Sequence, residues 1–167
     1  GRAESDRMAL RAAETCAARI VALQGPTGQW WWHYDTRDGS VVEGYPIYSV
    51  HQHAMAPMAL LDLHAAGGSD YRAAVLKGLD WIDAPPEADD PLVSPQDGVI
   101  WRKIGRREPP KLVRSVSSMT TALAQGWHLP GLDMAFPPIS IDRECRPYEF
   151  GWMLYAWRSR RVVEALG

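Results

Sequence analysis

The sequence predicts an all-α domain built from helical hairpins, with one short β-hairpin after the first helix. Three observations carry the prediction. Five stretches place apolar residues at helical spacing, Gly and Pro clusters stop those stretches, and a Gln/Gly/Trp pattern recurs along the chain. With 167 residues and eight tryptophans the chain can bury one sizeable core, so residues 1–167 read as a single domain.

The first helix is expected over about residues 4–24, where Ala9, Ala13, Cys16, Ile20 and Leu23 form one face and Gly25-Pro26 ends it. Cys16 on that face is expected in the core. Trp30 to Asp35 and Val41 to Tyr45 flank Asp38-Gly39, whose glycine accepts positive φ, so a short two-stranded excursion follows. If Trp30 to Asp35 is extended, Trp31, His33 and Asp35 project to one side and Trp30, Trp32 and Tyr34 to the other. Ser49 is placed to cap a second helix with Ala54, Met58, Leu61 and Ala65 on one face and Gly67-Gly68 at its end, Pro57 being tolerated early in it. Ser69 caps a third, with Tyr71, Ala74, Gly78 and Trp81 on its face, before Ala84-Pro85-Pro86 and an acidic loop. Val113, Val116, Thr120 and Leu123 mark a fourth helix. Phe150, Leu154 and Trp157 mark a fifth, opened by Arg146-Pro147-Tyr148-Glu149 with Pro in the first turn and an acid near the positive end. Between these last two, Trp127 to Arg146 reads as a long irregular connection.

Composition excludes several function classes. A formal charge of −2, with no long basic run, argues against a nucleic-acid partner, and Arg158, Arg160 and Arg161 read as a cluster at a helix C-terminus. Two cysteines do not make a disulfide framework. No apolar run approaches the length of a membrane span. These features favour the cytoplasm without fixing the compartment, and a start at Gly-Arg in place of Met reads as a fragment of a longer chain.

The spacing of Gln24, Gly28 and Trp30 resembles the QW repeat of the terpenoid cyclase and protein prenyltransferase superfamily, whose squalene cyclase-like members are α/α toroids. The resemblance implies that Gln24 caps a helix end and stacks on the tryptophan, tying neighbouring hairpins. Lys77 to Ile82 is similar to the lead-in of such a repeat, and Gln96-Asp97-Gly98-Val99-Ile100-Trp101 to a degenerate copy of its tail. The fold implied is a partial α/α toroid, and five helices cannot close one, so exposed faces would meet a missing portion of the same chain or a second copy.

The chemistry departs from that family. Where its cyclases carry an acidic proton donor, this chain reads Ser49 to Leu61 without an aspartate, and a histidine is a far weaker acid toward an alkene than a buried carboxylic acid. The prenyltransferases' zinc ligands have no counterpart, so neither metal nor cofactor is expected. What remains is a concentration of rings and titratable groups. His33, Asp35, His51 and His53 are the candidate catalytic residues, with a carboxylate orienting a histidine as general base; Trp31, Tyr34, Glu43, Tyr45, Tyr48, Trp101 and Tyr148 are the candidate ligand-binding residues. His64 near a helix end, His128 in a loop, and the loop acids Asp89 and Asp90 read as structural or solvated groups. The expected function is an enzyme or binding domain with an aromatic cleft for a bulky isoprenoid-like or saccharide ligand. A carbohydrate-active enzyme of the same toroid type, with Asp35 and Glu43 facing across a groove, is the alternative, and a catalytically silent structural fragment is the third reading.

Overall fold

The computed structural model describes residues 2–109 and 111–157. The Arg158, Arg160 and Arg161 cluster lies outside them. Helix α1 (Arg2–Ala22) ends before Gly25 and is followed by the hairpin β1 (His33–Tyr34) and β2 (Val41–Glu43), whose turn holds Gly39 at φ +70°. Strand β3 (Ile47–Tyr48) leads into a π-helical turn, His51–Met55, that continues without a break into α2 (Ala56–Ala65). After α3 (Arg72–Asp83) come the hairpin β4 (Val93–Ser94) and β5 (Val99–Ile100), then β6 (Lys103–Gly105). Helices α4 (Leu112–Leu123) and α5 (Leu132–Ala135), strand β7 (Ser140–Asp142) and α6 (Pro147–Trp157) complete the order.

The fold class is therefore mixed and not all-α. The described residues form three small antiparallel sheets: β1 with β2, β4 with β5, and a three-stranded sheet in the order β3-β6-β7. The third one overturns the all-α expectation most directly, because Ile47 pairs with Ile104 and Ile104 with Ile141 across large sequence separations. Strands of two or three residues show no readable alternation, and their partners are supplied by tertiary structure. Two further expectations fall with it. Gln96 to Trp101, read as the tail of a helical repeat, forms the Asp97-Gly98 turn and second strand of the β4-β5 hairpin. The segment from Trp127 to Arg146 is not wholly irregular, since it carries α5 and β7.

Ser49 does not cap a helix. Its N–H and its hydroxyl both donate to the Arg102 carbonyl, at 2.9 and 3.0 Å, fastening the end of β3 beside β6. Ser69 is likewise no cap for α3; its N–H donates to Glu14 on α1 at 2.9 Å, and Tyr71 donates its hydroxyl to the same carboxylate at 2.6 Å. Cys16, expected in the core, is exposed.

Two clusters make the core. Ile47, Trp81, Ile82, Leu92 and Ile104 pack where α3 meets the three-stranded sheet, and Trp30, Leu60 and Val75 pack between α2 and α3. A glycine-dependent contact joins the α1 exit loop to α3. Gly28 sits at φ +111°, where a Cβ would lie 1.9 Å from the Lys77 carbonyl oxygen, so no other residue fits. Helix α6 lies on the π-helical turn, with Trp157 Nε1 donating to the His53 carbonyl at 2.6 Å.

Candidate functional site

The loop that follows α1 and the π-helical turn face one another, and between them, α1 and α2 lies a cleft of about 340 Å³. Its walls are apolar: Ala17 and Ile20 from α1, Trp30 and Trp31 from the loop, Ala59 and Leu63 from α2. Tyr34, His51 and Cys16 are the titratable groups that line it. The Tyr34 hydroxyl is buried without a hydrogen-bond partner among the described residues. Burial raises its pKa, and the nearby Trp31 amide opposes this weakly without reaching hydrogen-bond geometry. Burial alone pushes the His51 imidazole down to about 4, so it is neutral at pH 7 and can accept a proton or a hydrogen bond.

His51 also belongs to an aromatic cluster on the other side of the loop. Its ring stacks on Trp32, centroids 5.0 Å apart and 12° from parallel, and Tyr48 meets both rings at 5.1 and 5.4 Å. His33 adds an edge contact to Trp32 at 5.7 Å. The structure thus brings His33, Tyr48 and His51 around one exposed tryptophan, although strand alternation places Trp32 and His33 on opposite sides. Strict alternation fails because pairing shifts register between His33 and Tyr34, and because Trp30, Trp31 and Tyr34 all turn into the apolar cleft.

His53 does not join this cluster through its ring. It is buried, its Nδ1 has no partner among the described residues, and burial pushes its pKa down to about 4, with a small further push from neighbouring His51. Asp35 is placed elsewhere. Its carboxylate is clasped by Arg37 through three side-chain hydrogen bonds of 2.5 to 3.0 Å and one from the Arg37 N–H at 2.9 Å, which hold its pKa at about 2, and its backbone closes the hairpin turn. It orients no histidine. His33 takes its partner from another direction: Nε2 lies 3.2 Å from the Arg114 guanidinium, and burial first, then that charge, lower its pKa against a smaller opposing effect of Glu43.

Glu43 and Asp35 do not face one another across a groove. Glu43 is buried and accepts hydrogen bonds from the Tyr45 N–H at 2.8 Å and Arg106 Nη2 at 3.0 Å. Arg106 also lies 5.0 Å over the Tyr45 ring, pairs with Asp133 at 2.8 Å and donates to the Phe136 carbonyl at 2.7 Å. Burial works against the Arg106 charge, yet these carboxylates outweigh it and raise its pKa. The carboxylate pairing that glycoside hydrolysis requires is absent from this pair.

The other candidates are structural in their contacts. Trp31 donates Nε1 to the Leu23 carbonyl at 2.7 Å while presenting its ring to the cleft. Tyr45 donates its hydroxyl to Glu87, whose carboxylate also collects Gln29 Nε2 and Trp81 Nε1, all within 2.9 Å. Trp101 packs on the Leu92 cluster, and Tyr148 is exposed on α6 away from the cleft lining. Glu87 and Arg106 carry no sequence signal because single charges in loops or at strand ends have no periodicity, and Arg114 in the first turn of α4 reads there as a solvated helix charge. No family model matches the chain, and no curated protein or solved structure matches it either.

Proposed function

We propose that this chain is a ligand-binding unit for a bulky, apolar, isoprenoid-like molecule bearing one hydroxyl or similar polar group, seated in the cleft between α1 and α2. One observation supports this reading above the rest: the cleft is apolar on nearly every wall, with Tyr34 and His51 as the residues that bring a hydroxyl-bearing ring and an imidazole to its lining. Transfer of the ligand's apolar surface from water supplies the bulk of the affinity, and a cleft of this size lies at the small end of ordinary ligand pockets. Neutral His51 at the cleft wall accepts a hydrogen bond from the ligand head.

Titration with farnesol, read by tryptophan fluorescence, tests it, since Trp30 and Trp31 line the cleft. The expected result is saturable quenching that Ala59→Trp abolishes, because Ala59 is exposed and its replacement fills the cleft without entering the core. Farnesol that fails to bind, or that binds Ala59→Trp as well as the wild type, overturns the reading.

A further inference from the structure

A second recess of about 600 Å³ opens beside the aromatic cluster, between the three-stranded sheet and the start of α4. Tyr48, Lys103, Lys111, Arg114 and Arg143 contribute to its lining. Several bases around it are already neutralised: Lys103 by Asp142 at 3.3 Å, Arg143 by Asp90 at 2.8 Å, and Arg106 by Glu43 and Asp133. Arg114 is different. Its contact is the Nε2 of His33, an imidazole that burial keeps neutral, so the guanidinium charge has no anionic partner among the described residues. Lys111 has no ion pair among them either, and it holds a left-handed backbone, φ +65°, that a non-glycine residue seldom adopts. Against these two cations stands Glu108, whose carboxylate already accepts the Val113 N–H at 2.5 Å.

Trp32, 43% exposed, lies outside the recess lining: it stacks on His51 at 5.0 Å, and its ring meets the edge of His33, whose Nε2 lies 3.2 Å from Arg114. Tyr48 connects the two features, lining the recess while lying 5.1 Å from Trp32. An exposed, braced ring beside an unpaired guanidinium presents two kinds of contact at once. The ring offers a flat apolar face to the C–H surface of a sugar, and the planar guanidinium offers a bidentate fork to a carboxylate.

We infer that the recess is a second binding site, distinct from the apolar cleft, for an acidic sugar residue: its ring packs on Trp32 and its carboxylate pairs with Arg114 and Lys111. The site binds and need not cleave. Its occupancy adds the anion that Arg114 lacks, and its affinity falls with salt because part of it is Coulombic.

Calorimetric titration of the full chain with trigalacturonate tests this, with maltotriose as the neutral control and inorganic phosphate as the ring-free anion. Trigalacturonate is expected to bind and maltotriose to bind at least tenfold more weakly. Arg114→Gln and Trp32→Ala should each weaken trigalacturonate at least tenfold; Arg114→Gln should leave farnesol binding unchanged, and an unchanged far-UV circular dichroism spectrum shows that both variants fold. Lys111→Ala, on an exposed residue, provides a second charge deletion with the same expected direction. The inference is overturned if trigalacturonate does not bind, if its affinity survives the Arg114 and Trp32 substitutions, or if phosphate binds as tightly and is indifferent to Trp32→Ala.

Discussion

Gln24 Nε2 donates to the Ala74 carbonyl at 2.9 Å and to the Gly28 carbonyl at 3.0 Å, so one amide group fastens the exit of α1 to the first turn of α3. It holds the loop down where Gly28 passes against Lys77. Gln24→Ala should cost about 1–3 kcal/mol, the usual penalty for partly buried carbonyls left without donors. Gly28→Ala should cost more, because positive φ and the collision with the Lys77 carbonyl both oppose it. Urea unfolding of the two variants beside the wild type checks both the sizes and their order.

The Glu43–Arg106 pair is almost fully buried, with side-chain exposures of 4% and 6%. Removing Arg106 strands the Glu43 carboxylate, whereas removing Glu43 leaves Arg106 paired with Asp133. Arg106→Met should therefore destabilise by about 3–5 kcal/mol, whereas Glu43→Gln combined with Arg106→Met should cost less than the sum of the two single changes. A double-mutant cycle in denaturant measures this coupling directly, and strict additivity would count against the pair as a unit.

Acid should weaken the fold in two separate steps. His51 and His53 have folded pKa values of about 4 against an ordinary 6.5, so the folded state binds their protons less readily than the unfolded state. Their contribution is complete above about pH 6.5 and is lost as pH falls through 4. Asp35, held at about 2 against an ordinary 3.8, contributes above its ordinary value and loses that contribution only at lower pH. Melting temperature followed from pH 8 to pH 3 should decline between 6.5 and 4, and His53→Gln should flatten that decline. An unchanged slope in the variant would show that His53 titrates alike in both states.

The five longer α-helices and the first hairpin were legible because each is specified locally, while the single turn of α5 was not. Periodic apolar residues, the Gly25-Pro26 and Gly67-Gly68 stops and the Asp38-Gly39 turn need no distant partner. The β3-β6-β7 sheet was not, since Ile47, Ile104 and Ile141 gain meaning as strand residues only from one another. The same divide runs through the candidate site. His51, Tyr34 and Trp31 were found from their place in a dense aromatic segment, and all three line the apolar cleft. Asp35 was misread because its nearest cation, Arg37, lies two residues away and claims it. Trp32 is absent from the candidates because alternation, which separates it from His33, cannot register the shift in pairing at His33.

The three-stranded sheet also sets an order of events in folding. The β1-β2 and β4-β5 hairpins close short loops, and the helices form from neighbouring residues, so these pieces can assemble early at small entropic cost. β3, β6 and β7 must wait until large stretches of chain are brought together, and Ser49 can meet the Arg102 carbonyl only then. The rate-limiting step is thus expected to be closure of this sheet, and the recess bounded by Tyr48, Lys103 and Asp142 comes into being only at that step.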